Sequence, residues 1–259
     1  MTDRVSDKHY RLLRQTIMQA GALAKDYFDS SRNLQFEKKG PKDLVTEADF
    51  HTERFIQQQL NTAFPDYGFW GEETGARDDQ DNCWIVDPID GTHSFFKGQY
   101  FWSISIALRL GGELVLGAVY APALDDLYIG GRGDGAYKNG MSIQCSQTIS
   151  LEDAMVGTGF ACLRSNLEAN NLDRFARVAL ETAGQRRFGS AALDICMVAD
   201  GQLDAFWEQH LNLYDIAAGV VIAREAGAII SDFNGTPGCF PDEVLVSNSG
   251  IHEAMLALM

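Results

Sequence analysis

Two aspartates at the end of a short apolar run are the residues of this sequence best suited to bind a hard cation. Asp87 and Asp90 lie in the stretch D-P-I-D-G-T, directly after the strand candidate at residues 83–86. Pro88 predicts a turn at this point, and Gly91 permits a tight backbone. Because Mg²⁺ prefers oxygen ligands, two carboxylates on such a turn could share one ion or bridge two. The same spacing also occurs in ordinary charged turns.

Three further acidic positions could complete a metal site, although each also has a structural interpretation. Glu72 is followed by Glu73, and neighbouring residues on a strand face opposite sides, so at most one of them is expected to be a direct ligand. Both could instead belong to a solvated acidic loop. Asp215 opens the stretch D-I-A-A-G and could cap a helix, and Asp49 could be an acid in a first helical turn.

The elements that must position these acids change in character near residue 150. Before it, apolar periodicity predicts a helix over about residues 6–28 and a second helix with Thr46 as its N-cap. The strands predicted in this half form an antiparallel sheet and lie at residues 83–86, 102–110 and 113–120. The elements predicted after residue 150 are helices at 171–183, 191–199 and 214–226 and strands at 154–157, 203–207, 228–230 and 244–246.

One strand of the first half has a particularly regular alternation. From Trp102 to Leu110 the apolar residues recur at every second position, and the intervening positions include Ser103, Ser105 and Arg109. This pattern predicts one face on the core and one polar face. Because no repeat or flexible linker separates the halves, we expect a single unit over residues 1–259. Its parts are helices plus an antiparallel sheet at 1–145 and an α/β half at 146–259.

Composition restricts the partners and the compartment. The formal net charge of −15 disfavours binding to nucleic acid or to an anionic membrane, and it calls for cations wherever a phosphate is bound. No apolar run approaches the roughly 18 residues of a membrane span, and no signal peptide is expected at the N-terminus. Five widely spaced cysteines without a C-x-x-C pair predict reduced thiols and a cytoplasmic location.

The order of these motifs resembles that of the inositol monophosphatase family, within the wider group of metal-dependent, lithium-sensitive phosphatases. The motifs are D-L-V-T-E-A-D, G-E-E, D-P-I-D-G-T and Y-D-I-A-A-G, and the resemblance runs from Lys38 to Asp215 in motifs and to Met259 in element order. The expected fold is then of the α+β and α/β type, a layered αβαβα sandwich of an antiparallel sheet half and a mixed α/β half. The resemblance also implies a homodimer and two or three Mg²⁺ ions per active site.

The resemblance assigns a role to each acidic motif. It implies that Asp87 bridges two metals and that Ile89 contributes its carbonyl oxygen. A weaker third metal would lie near Glu72. Thr92 would polarise the attacking water and donate a hydrogen bond to Asp49, which makes Thr92, Asp49 and Glu72 the expected catalytic residues. The implied metal ligands are Glu72, Asp87, Ile89, Asp90 and Asp215.

The resemblance also implies where the substrate binds. The backbone N–H groups of Gly91 and Thr92 would contact phosphate, and Glu208 would accept hydrogen bonds from polyol hydroxyls. The segment Gly189, Ser190 and Ala191 would line the substrate side. Further positions are Lys38, near the metal waters, and His93, on the rim of the site. The chain has Ser94 and Tyr214 where the family often has Asn and Trp.

The leading interpretation is Mg²⁺-dependent hydrolysis of inositol-1-phosphate by metal-activated water, with a small phosphorylated polyol as the substrate class. Histidinol phosphate, fructose-1,6-bisphosphate and 3′-phosphoadenosine-5′-phosphate remain alternative substrates on the same scaffold. A non-catalytic regulator that binds metal or phosphate is the alternative from another class. That alternative predicts the loss of a ligand or of Thr92, and all of them are present.

Overall fold

The computed structural model describes residues 5–33, 41–75, 80–164 and 170–259, and within these ranges it contains helices α1–α8 and strands β1–β12. The helices are α1 Asp7–Asn33, α2 Pro41–Ala63, α3 Thr92–Phe96, α4 Ala161–Arg164, α5 Leu172–Glu181, α6 Ala191–Ala199, α7 Leu213–Glu225 and α8 His252–Leu256. The strands are β1 Gly68–Gly71, β2 Cys83–Asp90, β3 Ser103–Leu110, β4 Glu113–Ala121, β5 Asp126–Gly131, β6 Gly135–Lys138, β7 Met141–Ser142, β8 Met155–Thr158, β9 Gly184–Arg186, β10 Ala205–Gln209, β11 Ile229–Ser231 and β12 Glu243–Ser247.

The first seven strands form one sheet in sequence order, from β1 to β7. Every neighbouring pair is antiparallel except β1 and β2, which run parallel. The prediction of a purely antiparallel sheet is therefore wrong at this edge. The start of β2 lies beside the start of β1, with Cys83 paired to Gly68, which is the register of a parallel pair.

Helices α1 and α2 cover one face of this sheet. The apolar positions of α1 recur at helical spacing and are buried, which confirms the predicted first helix; they are Leu13, Ile17, Ala20, Ala24 and Phe28. The second helix begins at Pro41, so Thr46 lies inside it and the prediction of Thr46 as N-cap is wrong. Proline suits a first helical position because the N–H it lacks would have no partner there.

The second sheet has five strands in the order β11, β12, β10, β8, β9, and it contains both parallel and antiparallel pairs. Helices α6 and α7 lie between the two sheets and share one apolar core with both of them. Residues of α5 and α8 close the outer face of the second sheet. The layers are therefore helix, sheet, helix, sheet and helix, and the predicted αβαβα arrangement is confirmed.

Helix α7 lies flush against the first sheet because glycines face it. A Cβ atom on Gly117 of β4 would come within 2.5 Å of the carbonyl oxygen of Ala218. One on Gly130 of β5 would come within 2.8 Å of the Cα atom of Ile222. This close approach sets the position of the N-terminus of α7. Across the described ranges, no helix has the length and apolar character needed to cross a membrane.

Strand β3 differs from the prediction of one polar face. Both sets of alternating side chains are buried except Arg109, which is half-buried, because α1 and α2 cover one face while α6 and α7 cover the other. Ser103 Oγ lies 3.0 Å from Ser190 Oγ, and Ser105 Oγ donates to the carbonyl of Tyr214 at 3.3 Å. The small polar side chains of β3 thus meet the first turns of α6 and α7, where the candidate site lies.

Candidate active site

A bulge in β2 brings Asp87 and Asp90 to the same face of the sheet. In a regular strand, residues three apart face opposite sides. Here Asp87 pairs with Ser105 and Asp90 with Ser103, so three steps on β2 match two steps on β3. The extra residue restores the parity and directs both carboxylates to one side. The turn predicted at Pro88 is wrong in form, since the strand continues to Asp90.

Asp215 joins these two aspartates across the interface between the sheet and α7. One carboxylate oxygen from each of Asp87, Asp90 and Asp215 lies within 4.8 Å of the others. Asp215 sits in the first turn of α7, where its Oδ2 accepts from the backbone N–H of Asn212 at 2.6 Å. The structure therefore brings together three of the acids predicted as metal ligands.

Asp90 is held in place by the first turn of α6. Its Oδ2 accepts from Ser190 Oγ at 2.7 Å and from the N–H of Ala192 at 2.8 Å. Ser190 is fully buried and also accepts from the N–H of Leu193 as the N-cap of α6. Ser190 was expected on the substrate side, but its hydroxyl is engaged by Asp90, so we interpret it as orienting that carboxylate.

The carboxyl groups of the cluster have raised pKa values because they are buried together. Burial, followed by the charge of Asp215, raises the pKa of Asp90 to about 8, although hydrogen bonds from Ser190 and the α6 backbone act in the opposite direction. The pKa of Asp87 is raised well above its usual range by burial and then by Glu72 and Asp90. A cation among these oxygens would favour the ionised carboxylates and so oppose both the burial and the mutual repulsion that raise these pKa values.

Glu72 directly follows β1, is exposed, and lines two adjoining cavities beside the aspartates. The turn at residues 72–74 is held by Glu53, whose two carboxylate oxygens accept from the N–H groups of Glu73 and Thr74, each at 2.9 Å. Glu53 is fully buried, and a side chain on Gly71 would collide with it. The sequence argument missed Glu53, although its place one helical turn after Asp49 on α2 was an available signal.

Asp49 and Thr92 do not make the hydrogen bond that the resemblance implied. Thr92 Oγ1 donates to the carbonyl of Ile89 at 3.2 Å, and Thr92 opens α3 three residues after Ile89. Asp49 is buried in α2, and no residue in the described part of the chain hydrogen-bonds to its Oδ1. Burial, followed by Glu72, Glu73 and Glu53, raises the pKa of Asp49 to about 8.

A small cavity of 100 Å³ opens directly above the carboxylates. Besides Glu72 and the three aspartates it is lined by Ile89, Gly91, Thr92, His93, Arg187 and Gly189. Gly91 has φ 91°, and a Cβ there would lie 3.0 Å from the carbonyl oxygen of Phe101 and 3.1 Å from that of Gly189. Glycine is therefore required where the two loops meet. His93 is exposed, as expected of a rim residue.

A second cavity of 280 Å³ adjoins the first and contains the other expected substrate residues. Gly189, Ser190, Ala191 and Glu208 all line it. Glu208, on β10, is buried, and its Oε1 accepts from the N–H of Ala161 at 2.9 Å. Sequence reasoning missed Arg187 and Asp194 in the same wall. Lys38 lies outside the described residues.

Arg187 contributes a positive charge to the wall of this cavity. It lines both cavities, is exposed, and has no hydrogen-bond or ion-pair partner among the described residues. The other charged side chains around the two cavities are carboxylates, apart from histidines. A guanidinium in this position is suited to attract an anion toward the carboxylate cluster.

The donor atoms fit a hard divalent cation. The grouped ligands are carboxylate oxygens without sulfur or imidazole, which is the chemistry Mg²⁺ and Mn²⁺ prefer and zinc sites commonly lack. Asp87, Asp90 and Asp215 would hold the ion, with Glu72 beside them. An αβαβα fold with such a cluster and an adjoining polar cavity defines a metal-dependent phosphatase.

A profile of the Inositol monophosphatase family matches residues 6–259, and the chain belongs to this family of phosphoric monoester hydrolases. The "Inositol-1-monophosphatase" of Mesorhizobium japonicum is 41% identical over 245 residues, which is 93% of this chain and 92% of the relative. The solved inositol monophosphatase of Anabaena (Nostoc) sp. is 30% identical with a TM-score of 0.87, covering 96% of this chain and 93% of that one.

Other relatives have different names. A protein of Aquifex aeolicus named "Fructose-1,6-bisphosphatase/inositol-1-monophosphatase" is 34% identical, covering 96% of this chain and 94% of the relative. The "Nus factor SuhB" of Escherichia coli is also 34% identical, covering 93% and 91%. The family therefore establishes a phosphatase, and the identity of the substrate is a separate question.

Proposed function

We propose that this protein hydrolyses inositol-1-phosphate to inositol and phosphate with Mg²⁺ as its cofactor, two or three ions per site. The observation that carries this proposal is the grouping of three carboxylate oxygens within 4.8 Å, beneath a small cavity that opens into a larger one. The small cavity suits a phosphate group and the larger one suits its alcohol.

The residues of the chain have distinct tasks in this proposal. Asp87, Asp90, Asp215 and Glu72 would hold the metal, with the carbonyl of Ile89 as a further ligand. When bound, the metal supplies positive charge that stabilises phosphate oxygens and acidifies water. The backbone at Gly91 and Thr92 orients the phosphate, and the exposed Arg187 attracts it into the pocket. Glu208 accepts hydrogen bonds from hydroxyls of the alcohol.

Asp49 acts behind the metal ligands in this proposal. The charges of Glu72, Glu73 and Glu53 act on Asp49, but Asp49 does not line either cavity. Its raised pKa makes it a group that can hold a proton near the site at neutral pH. We assign it to the charge balance of Glu72, and Thr92 to the orientation of the attacking water.

A phosphate-release screen tests the proposal. It compares inositol-1-phosphate, histidinol phosphate, fructose-1,6-bisphosphate and 3′-phosphoadenosine-5′-phosphate, each with Mg²⁺, with EDTA and with added Li⁺. We expect the highest kcat/KM for inositol-1-phosphate, no turnover in EDTA and inhibition by Li⁺. A higher kcat/KM for another ester would replace the substrate, and equal turnover in EDTA would contradict the metal site.

Fructose-1,6-bisphosphate is the second candidate substrate. The observation in its favour is Arg187, whose guanidinium has no partner among the described residues and lines both cavities, so it could receive a second phosphate. The name of the Aquifex aeolicus relative agrees with this possibility. In the screen, this candidate predicts that replacing Arg187 by Ala lowers kcat/KM more for the bisphosphate than for inositol-1-phosphate.

We also propose an oligomeric state, a cellular compartment and a class of partner for this protein. We propose a homodimer, supported by the family resemblance and by Leu172 and Leu180 of α5, which are 49% and 85% exposed. A reducing, cytoplasmic compartment is supported by five free cysteines, four of them buried. The acidic net charge of −15 supports a small anion held through cations, rather than nucleic acid or a membrane surface, as the partner.

A further inference from the structure

The larger cavity contains a buried carboxyl group with an oxygen that no described residue satisfies. Asp194 lies on α6, is 1% exposed, and forms part of the cavity wall. Among the described residues, its Oδ1 has no hydrogen-bond partner. Buried polar atoms of folded proteins are nearly always hydrogen-bonded, so an unsatisfied carboxylate oxygen beside a cavity points to a ligand that supplies the donor.

Glu208, the other buried glutamate or aspartate of this cavity wall considered as a hydroxyl acceptor, already has a hydrogen-bond donor in the protein. Glu208 Oε1 accepts from the N–H of Ala161, so the start of α4 already satisfies part of that group. Gly159 lies directly against the same carboxylate, since a Cβ there would overlap it. Glu208 is therefore contacted by the backbone at both Gly159 and Ala161, whereas no described residue donates to Oδ1 of Asp194.

The charges around Asp194 restrict the kind of donor. Asp90 and Glu208 lie on its acidic side, and the guanidinium of Arg187 is close enough to act on it in the opposite sense. A substrate ammonium would be repelled by Arg187. A neutral hydroxyl can donate to the carboxylate and also accept from a nearby N–H donor, so it suits both neighbours.

We propose that Asp194 is a specificity-determining residue that accepts a hydrogen bond from a hydroxyl of the substrate's alcohol. This inference rests on the proposed phosphatase function, which it deepens by adding a second hydroxyl acceptor to Glu208. The alcohol would then donate hydrogen bonds to two carboxyl groups from different layers, Asp194 on α6 and Glu208 on β10. Phosphate esters whose alcohol lacks hydroxyls would gain nothing from Asp194.

The test compares two substrates that share the phosphate and differ in the alcohol. For Asp194→Ala, KM for inositol-1-phosphate should rise about tenfold, the size expected for one lost hydrogen bond. KM for phenyl phosphate should stay within twofold. The concentration of Mg²⁺ for half-maximal activity should not change. Ile195→Val is the matched control, a buried neighbour on α6 outside the cavity wall, and it should leave the ratio of the two KM values unchanged.

Asp194→Asn decides the question if the alanine variant does not fold, because it keeps the shape of the side chain and loses one acceptor. We expect at least a threefold rise in KM for inositol-1-phosphate and none for phenyl phosphate. Equal changes for both substrates, or no change for either, would overturn the proposal.

If the wild-type enzyme cleaves phenyl phosphate but not inositol-1-phosphate, the proposed substrate is wrong. The Asp194 comparison is then made with glycerol-2-phosphate in its place. The two proposals therefore fail by different results.

Discussion

At the scale of the residue, Asp90 combines fixed hydrogen bonds with a place in the carboxylate cluster. Its Oδ2 accepts two hydrogen bonds from the start of α6, at 2.7 and 2.8 Å. One oxygen of the same carboxylate takes part in the group formed with Asp87 and Asp215. Hydrogen bonds of this kind orient a carboxylate before a metal binds.

Replacing Asp90 by Asn should abolish most of the phosphatase activity. The amide is neutral, so it removes a full ligand charge, and its NH₂ group cannot accept the hydrogen bonds from α6. We expect kcat at saturating Mg²⁺ to fall at least about 100-fold, or roughly 2.7 kcal/mol of transition-state stabilisation. Asp204→Asn is the control, since Asp204 is buried but bonds Ser146 and Met155. Activity of Asp90→Asn within a few-fold of wild type would contradict the assignment.

The raised pKa of Asp90 predicts how pH and Mg²⁺ act together. Its folded-state pKa of about 8 exceeds the ordinary 3.8, so the metal-free folded protein binds protons that the unfolded chain releases between these values. Stability of the metal-free protein should therefore fall as pH rises from about 4 to 8. Mg²⁺ requires the ionised carboxylates, so its affinity should increase over the same range.

Thermal unfolding measured at pH 6 and at pH 8, with Mg²⁺ and with EDTA, checks this prediction. The increase in Tm caused by Mg²⁺ should be larger at pH 8 than at pH 6. Asp90→Asn should show a smaller dependence on pH, because it lacks one of the titrating groups. An increase in Tm that is equal at both pH values would show that protons and metal do not compete at this cluster.

At the scale of the element, the first turn of α6 positions a ligand that belongs to β2. Ser190 is the N-cap of α6, donates to Asp90 and lies 3.0 Å from Ser103 of β3. The same residue thus joins a helix start, a bulged strand and its neighbour. A motif that the resemblance placed on the substrate side has a structural task in the metal site.

Ser190→Ala should weaken metal binding more than it weakens the fold. It removes one of the hydrogen bonds that orient Asp90, and loss of such outer partners typically lowers metal affinity about 10–100-fold. We expect a comparable rise in the Mg²⁺ concentration for half-maximal activity. Ser94→Ala is the matched control, since Ser94 is buried nearby and donates to the carbonyl of Phe188. If both variants respond alike to Mg²⁺, Ser190 has no special role in orienting the ligand.

At the scale of the whole molecule, charge is concentrated where the layers meet. The five acids Asp49, Glu72, Asp87, Asp90 and Asp215 contribute −5 to the formal net charge of −15, which leaves −10 on the rest of the chain. Two or three Mg²⁺ would therefore offset the site without neutralising the protein. The acidic remainder keeps a phosphate ligand dependent on the bound cations.

At this scale we also predict that the protein is a homodimer in solution. Leu172 and Leu180 leave apolar surface exposed on α5, and covering it by a second copy would remove that surface from water. Sedimentation should therefore give a species of twice 28.5 kDa that is largely insensitive to salt. Leu180→Glu should shift the distribution toward the monomer. A wild-type species of 28.5 kDa at all concentrations would rule out the homodimer.

Most elements follow from local patterns, because periodicity and turn residues act within a few positions. The apolar spacing of α1, α6 and α7 predicted each helix close to its observed bounds. The errors arise where distant segments decide. The polar side of β3 is buried because α6 and α7 cover it, and the parallel direction of β1 beside β2 is a tertiary pairing that local patterns do not encode.

The sequence by itself determined which groups could bind a cation, and through the order of its motifs it indicated the family. Only the tertiary structure decided that Asp87 and Asp90 share a face, since this depends on a bulge measured against β3. It also brought Asp215 to them from the first turn of α7 and placed Asp194 beside a cavity, with no described residue donating to its Oδ1. The physical reason is that side-chain direction and hydrogen-bond satisfaction are set by neighbours far away in the chain.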